Sequence, residues 1–368
     1  MGSRLWSNTT TLLGHRLFTD PTDRAEVAGI LGIDPGRIPD QPSWAYDRIV
    51  EAVRTGEIKA LWVIATNSAH SWVDNGGLAD LLGNLDVLVV QDLYATTDTA
   101  QLADIVLPAA GWGEKEGTFV NSERRYGRIR RVVRAPGQAL ADFAIFKLVA
   151  DAWGCGDLFE EWSSPAAVFG ILQRLSAGRP CDITGIEGYP QLERDGGVQW
   201  PAPAGPAAGR AGERRLFEDG RFFTANGRAR FVWEEPRPVA EPTSDEFPFV
   251  LLTGRGSSSQ WHTQTRTSKS AILRSLYPEK PYVEMSPADA AALGVTSDDW
   301  VLVRSARGEM EARAHVTPTV AAGQVFVPMH YVGTNRLTAP SFDPYSRQPS
   351  YKWAAVAVRR LEDGHRYS

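Results

Sequence analysis

Cysteine is nearly absent. The 368 residues hold two, Cys155 and Cys181, and neither sits in a C-x-x-C pair. That excludes a disulfide framework, a cysteine zinc site and an iron–sulfur cluster held by this chain alone. No apolar run reaches the ~20 residues that span a bilayer. The opening "MGSRLWSNTTTLLGHRLF" lacks the apolar core and cleavage site of a secretory signal, so the expected location is cytoplasmic. Without such a signal, the "NTT" sequon at Asn8 carries little weight. Net charge is −5, so no global basic field draws the chain to nucleic acid or an anionic membrane. Three glycine motifs are missing as well: no G-x-G-x-x-G follows the first predicted strand, "GWGEKEGT" is not a G-x-x-x-x-G-K-[ST] phosphate loop, and no G-x-S-x-G elbow occurs. An ordinary nicotinamide-binding fold is therefore not expected. His15, His70, His262, His315, His330 and His365 show no metal-ligand spacing.

What is present is an ordinary globular composition, 43% hydrophobic and 23% charged, with length for two or three domains. Residues 1–45 read as irregular around a short helix in "DPTDRAEVAGILG". Helices and strands then alternate: helix "WAYDRIVEAVRTG", strand "IKALWVIAT", helix "LADLLG", strand "LDVLVVQD", strand "DIVLPAA" and helix "LADFAIFKLVADAWG". Continuous apolar strands separated by helices predict a parallel sheet buried on both faces, with ligands at loops after the strand ends. Residues 161–245 read as an irregular connector containing the "PAPAGPAAGRAGE" linker and a β-hairpin, "RLFEDGRFFTANGRARFVW", turning at Asn226–Gly227. From 246 to 368, many short strands surround one small helix, "SPADAAALG", which has Ser286 as N-cap and Gly294 as stop. That pattern predicts a closed barrel, with Arg307–Gly308 at a hairpin tip.

Polar residues concentrate in four places. Asn67 follows the first strand; it either caps the next turn or hydrogen-bonds a ligand. Gln91 and Asp92 end the second strand, where an acidic residue can accept from ribose hydroxyls. The loop "ADIVLPAAGWGEKEGTFVNSERR" crowds Glu114, Lys115, Glu116, Glu123, Arg124 and Arg125 around glycines. A solvated loop is one reading, and a wrap around a charged ligand is the other; Lys115 suits a pyrophosphate or carbonyl. The run from Thr253 to Thr263, "TGRGSSSQWHT", packs Gly254, Arg255, three serines, Trp261 and His262 together, a nest for anions with a guanidinium fork. A Ser/Thr-rich surface loop is the competing reading. Near the end, "HYVGTNRLTAPSFDPYSRQPSYK" is long enough to be functional, with Asn335 and Lys352 the residues to watch.

These pieces together resemble the molybdopterin oxidoreductases whose molybdenum is held by two molybdopterin guanine dinucleotides. The resemblance rests on "ADIVLPAAGWGEKEGTFVNSERR" and on the distal "TGR…WHT…TRT…N-R-L-T…DP-x-S-x-Q-P-x-Y-K", and runs over nearly the whole chain. It is nearest to bacterial assimilatory nitrate reductases, with formate dehydrogenase catalytic subunits second. It implies a partial Rossmann-like α/β sheet over 1–160 and a six-stranded double-psi β-barrel over 246–368. It also implies dinucleotide contacts from Asn67, Gln91 and Asp92 to guanosine, with Lys115 and Asp142 closing on the same nucleotide. Thr253, Gly254, Arg255, Trp261, His262 and Thr263 would cradle pyrophosphate and pterin, and Asn335 and Lys352 would complete the pterin side.

Three departures stand against that pattern. Ser68 replaces the proline that usually follows the Asn. The 253–263 run is a residue longer than in many relatives. The four-cysteine [4Fe–4S] motif and the molybdenum ligand of the family have no counterpart here, so the chain resembles only the C-terminal half. The expectation is the cofactor-clamping part of a nitrate reductase-like enzyme. An N-terminal half or partner subunit would supply cluster and molybdenum ligand, a separate protein would donate electrons, and the chain alone would turn over neither nitrate nor formate. The alternatives are a formate dehydrogenase-like subunit, or a non-catalytic pterin-binding remnant or scaffold. The half-sheet should also leave an apolar face uncovered.

Overall fold

The structure, a computed structural model, describes residues 5–6, 11–205 and 215–362. Asn8, His365 and the 206–213 part of the linker lie outside the described residues. Two compact units interleave along the chain, Met1–Ala45 with Leu107–Glu235, and Tyr46–Val106 with Pro236–Ser368.

The second unit opens with helix Tyr46–Arg54, closed at Gly56 in the left-handed region (φ 73°). Strand β1 (Ala60–Ile64), helices Ser68–Ser71 and Leu78–Leu82, β2 (Val87–Asp92) and β3 (Ile105–Pro108) follow. The sheet order is β1-β2-β3, and β1 runs parallel to β2 from Ala60↔Val87 to Ile64↔Gln91. One face packs Val63, Leu88 and Val90 against Leu78, Leu82 and Ala100. The other carries Ile64 and Val87, 39% and 37% exposed. The apolar runs thus make a parallel sheet as expected, but its second face is only partly covered, with Trp62 and Val89 half-buried and Gln91 buried beside the open Ile64 and Val87.

The first unit holds a small antiparallel sheet of β4 (Gly117–Val120), β5 (Arg125–Ile129) and β6 (Val198–Gln199). A Cβ at Gly127 would fall 2.3 Å from Phe119 Cζ across the β4–β5 pair, so glycine is required there. Helices Pro165–Ser176 and Tyr189–Arg194 contribute to a core of Tyr126, Phe169, Ile183, Leu192 and Trp200, and helix Asp142–Ala152 precedes them. Cys181 belongs to this core, and burial pushes its thiol up to about 11.

The expected hairpin at 215–233 is not formed: no strand occurs over those residues. The turn is there, with Gly227 at φ 68° and Phe222 N donating to Gly227 O at 2.9 Å. Phe231 and Trp233, however, stand 95% and 80% exposed. A two-stranded ribbon is marginal unless one face is buried, and nothing covers this one.

Six strands close the barrel: β7 (Phe249–Gly254), β8 (Tyr282–Met285), β9 (Trp300–Arg304), β10 (Glu309–Val316), β11 (Gln324–Pro328) and β12 (Ala354–Arg360). Their order is β10-β8-β11-β7-β12-β9. Pairs β7–β11 and β8–β10 are parallel and the others antiparallel, the mixed pairing expected of a double-psi barrel. Alternate residues point inward. Leu251, Val283, Met285, Val301, Val303, Val325, Val327 and Val356 are fully buried, each contributing roughly 1.5–3 kcal/mol. Closure leaves no free edge. Helix Pro287–Ala292 starts where Ser286 Oγ accepts from Asp289 N (3.1 Å), and Gly294 follows it at φ 62°. Ser305 N donates to Gly308 O (2.9 Å), which confirms the hairpin tip at Arg307–Gly308.

Candidate functional site

In the second unit, the chain leaves β1 through Ala65, a non-glycine residue at φ 55°, whose N donates to Gln91 O at 2.9 Å. This turn drives Asn67 inward until 6% is exposed. Its Oδ1 accepts from Thr99 N (3.0 Å) and Thr99 Oγ1 (2.8 Å), and its Nδ2 donates to Asp98 Oδ2 (2.8 Å). Neither sequence reading of Asn67 anticipated this. Its side chain makes no cap; it ties the loop after β2 to the loop after β1. Gln91 and Asp92 are buried at the end of β2, and Asp92 Oδ1 accepts from Leu93 N (2.6 Å) and Tyr94 N (3.4 Å).

The loop that Asn67 begins is held against loops of the barrel. Asn335 Nδ2 donates to His70 O (3.0 Å), Asn75 Nδ2 to the same carbonyl (3.1 Å), and Tyr351 Oη to Ser71 O (2.9 Å). Asp74 N donates to Thr338 Oγ1 at 3.4 Å. Sheet-end and barrel loops therefore meet within one unit.

On the barrel side, β7 ends in Thr253 and Gly254. Lys352 Nζ donates to Thr253 O (2.8 Å) and Thr253 Oγ1 to Tyr351 O (2.5 Å), which fastens the end of β7 to the segment before β12. A Cβ on Gly254 would lie 3.0 Å from Phe326 Cε2 and 3.9 Å from Lys352 Nζ. One on Gly256 would lie 2.8 Å from Tyr282 Oη and 3.0 Å from Pro328 Cγ. The backbone there is confined. Arg255 Nη1 donates to Gln260 O (3.1 Å) and its guanidinium lies 5.3 Å from the Trp261 ring centroid, with Trp261 itself 57% exposed. Thr263 and Thr265 hydroxyls bond at 2.7 Å. His262 contributes its carbonyl, which accepts from His330 Nδ1 at 2.9 Å.

The electrostatics are one-sided. Burial, then the charges of Arg255 and His70, holds the His330 imidazole below its ordinary range, against hydrogen bonds to the His262 and Trp261 carbonyls that raise it. His262 is lowered too, by desolvation first and then by His70, Arg255, His330 and Lys352. Facing this group, Asp98 is held at about 2, by its hydrogen bond from His70 foremost and by Asn67, despite burial. The fixed positive charges here are the Arg255 guanidinium and the Lys352 ammonium, beside imidazoles of His262 and His330 that are pushed toward the neutral form.

Lys115 and Asp142 belong to the first unit, where they form an ion pair with each other, each about one quarter exposed. The neighbouring charges are largely spent inside that unit. Glu114 Oε2 accepts from Gly111 N (2.7 Å), Arg128 pairs with Glu193 and lies 3.5 Å from Glu116, and Arg124 Nη1 donates to Trp200 O (2.6 Å). Sequence reasoning singled out neither His70, Asn75, Asp98, His330 nor Tyr351. Only "TTDT", a Thr/Asp cluster after a strand, offered a signal for Asp98.

A closed barrel whose basic loops meet the strand-end loops of a parallel sheet defines a class: proteins that bind a large anionic cofactor. Two family models match, Molybdopterin oxidoreductase over residues 23–152 and Molydopterin dinucleotide binding domain over residues 249–355. The chain belongs to the molybdopterin oxidoreductase family. It is 36% identical over 367 residues to a nitrate reductase of Synechocystis, covering 97% of this chain and 51% of that protein. To the F420-dependent formate dehydrogenase subunit alpha of Methanocaldococcus jannaschii it is 38% identical over 306 residues, 83% of this chain and 43% of that one. Acetylene hydratase from Pelobacter acetylenicus shares the fold, with TM-score 0.66 at 17% identity over 98% of this chain and 52% of its own. The chain spans about half the length of the curated relatives it matches.

Proposed function

We propose that this chain is the cofactor-binding C-terminal part of a molybdenum oxidoreductase that reduces nitrate to nitrite, and that it grips molybdopterin guanine dinucleotide. The observation that carries the reading is the meeting of the 67–75 loop with barrel loops at Asn335 and Tyr351, beside Arg255, Lys352 and three imidazoles. The residues fit such a ligand on two further counts. The Gly254–Gly256 turn is fixed by close packing on Phe326, Tyr282 and Pro328, which holds its backbone N–H groups in place for an anion. The Nε2 atoms of His70 and His330 and the Oδ1 of Asn335 are buried without a hydrogen-bond partner among the described residues. Buried polar atoms of this kind are usually satisfied, so they mark where a ligand belongs.

In this reading Arg255 and Lys352 neutralise the pyrophosphate and pterin oxygens, Thr253, Trp261, His262 and Thr263 wall that side, and Asn335 reads the pterin. Gln91 and Asp92 face the guanosine. Asn67 acts through the loop it ties, and Lys115 and Asp142, paired with each other in the first unit, are further candidates to meet an anionic ligand. The bound cofactor supplies the two-electron oxygen-atom transfer; the protein supplies orientation and charge. The molybdenum ligand, the [4Fe–4S] cluster and the electron donor would come from another part or partner, so the chain alone should turn over nothing. A formate dehydrogenase-like role is the second reading, favoured by the 38% identical methanogen relative.

The test starts from the longest native polypeptide carrying this sequence, with whatever copurifies. Molybdenum and acid-released guanine nucleotide are expected in it, with nitrate turnover from reduced viologen. Arg255→Ala with Lys352→Ala should lower guanine content about tenfold or more, since each charge-assisted hydrogen bond lost costs roughly 1.5–3 kcal/mol. Wild-type protein with neither molybdenum nor guanine overturns the reading. Formate oxidation without nitrate reduction selects the second.

A further inference from the structure

His70 lies in the short helix Ser68–Ser71 and is 3% exposed. Its two ring nitrogens are treated differently. Nδ1 lies 3.5 Å from Asp98 Oδ2, an acceptor, while Nε2 is buried without a partner among the described residues. Its backbone is fixed as well, because His70 O accepts from both Asn75 Nδ2 and Asn335 Nδ2. Asp98 in turn is fixed by Asn67 Nδ2 at 2.8 Å. The ring therefore cannot turn over at little cost.

That arrangement dictates a tautomer. A carboxylate can only accept, so the neutral imidazole carries its proton on Nδ1 and a bare lone pair on Nε2. A lone pair repels an anionic oxygen. Nε2 can hold one only after taking up a proton, and the imidazolium so formed sits against the Asp98 carboxylate, which offsets its charge. His262 and His330 each feel the charge of His70 and of Arg255, and His262 that of Lys352 as well, while Asp98 is the acidic group bonded to His70. Without a ligand these bases oppose protonation of one another. An anion among them reverses that balance.

We propose that His70, oriented by Asp98, is a proton-loaded donor to an anionic oxygen of the bound dinucleotide, phosphate or pterin, so that holding the ligand takes up a proton at Nε2. The inference rests on the functional reading above and adds to it a residue and a linkage. The sign follows directly. If the bound state holds one more proton than the free state, affinity rises as pH falls, by up to tenfold per pH unit.

The test uses the loaded native protein and follows guanine dinucleotide appearing in the filtrate at pH 6, 7 and 8. Wild type should release it fastest at pH 8, with a change approaching tenfold per unit. His70→Gln places an amide N–H near the Nε2 position that needs no proton; it should retain the ligand and flatten the pH dependence. His70→Asn keeps a polar group only on the Asp98 side and should release the ligand about tenfold faster or more at pH 6, while differing little from wild type at pH 8. Asp98→Asn should weaken retention at pH 6 by removing the counter-charge. A wild-type release rate independent of pH, or a His70→Gln variant that keeps the full slope, overturns the inference while the binding reading stands. A native preparation with no guanine nucleotide removes both.

Discussion

Asn67→Ala is the sharpest test of how the site is built, because Asn67 binds protein and not solvent. The substitution removes the acceptor of Thr99 N (3.0 Å) and of Thr99 Oγ1 (2.8 Å), and the donor to Asp98 (2.8 Å). Thr99 is fully buried, so its stranded N–H costs about 1–3 kcal/mol. The Asp98 side chain is 44% exposed, so its lost bond adds less than a buried one would. About 2–4 kcal/mol is the sum, concentrated on the loops 67–75 and 93–99. Amide exchange at Thr99 should accelerate roughly 30- to 800-fold, as 1.36 kcal/mol is a factor of ten. Exchange in the barrel strands should hardly change. There is a pH signature also. Asp98 is held at about 2, so its contribution is present above its ordinary 3.8 and is lost as pH falls toward 2. In the variant that loss should be smaller and be complete at a higher pH. Asn67→Asp, which keeps an acceptor but sets a second carboxylate beside Asp98, should lose stability as pH rises above about 4. Exchange at Thr99 within threefold of wild type would show that Asn67 does not hold these loops together.

Glu241 tests the barrel's outer clasp. It accepts from Arg307 Nη1 (2.5 Å), Arg307 Nη2 (2.9 Å) and Ala355 N (2.8 Å). Burial pushes its carboxyl up, but Arg307 and Ala355 more than offset that and hold it below the ordinary value, so its contribution is lost on acidification. Glu241→Gln should cost about 1–3 kcal/mol at pH 7 and remove that acid limb, read by thermal unfolding at pH 4 and 7. Gly256→Ala puts a methyl 2.8 Å from Tyr282 Oη, 2.9 Å from Gln260 Oε1 and 3.0 Å from the Pro328 ring. It should cost about 1–3 kcal/mol of overpacking and lower guanine content, measured together on one preparation.

Legibility from sequence followed the range of the interaction. The barrel was readable because alternation survives in single strands: β10 reads "EMEARAHV", with Met310, Ala312 and Ala314 inward. The Ser286 cap and Gly294 stop are local chemistry, and both hold. The hairpin at 215–233 failed because a turn signal says nothing about whether a ribbon has a surface to lie on. Glu114 and Arg124 read as ligand groups because sequence cannot show that their partners are Gly111 and Trp200. His70 and Asp98 were invisible for the same reason. They stand 28 residues apart, and only the parallel pairing of β1 with β2 brings the two strand-end loops side by side. Asn67 stands out in the sequence as a polar residue after a strand, but its partners Thr99 and Asp98, some thirty residues on, do not.

The two halves of the second unit also differ in how complete they are, and that difference can be measured. The barrel closes on itself. The sheet of β1, β2 and β3 does not, since Ile64, Val87, Leu102 and Ile105 are 39%, 37%, 39% and 49% exposed. Register places Ile64 and Val87 on one face, because Ala60 pairs with Val87 and side chains alternate along β1. Exposed apolar sheet surface drives association of chains, whereas exposed polar surface does not. Ile64→Thr with Val87→Thr should therefore raise the concentration at which the isolated chain begins to associate, by several-fold in light scattering. Because both positions already contact water, unfolding free energy should change by less than about 1 kcal/mol. If the double variant associates at the same concentration as wild type, the open part of that face is not what makes this half-sheet adhesive, and the exposed Phe231 and Trp233 become the surface to change next.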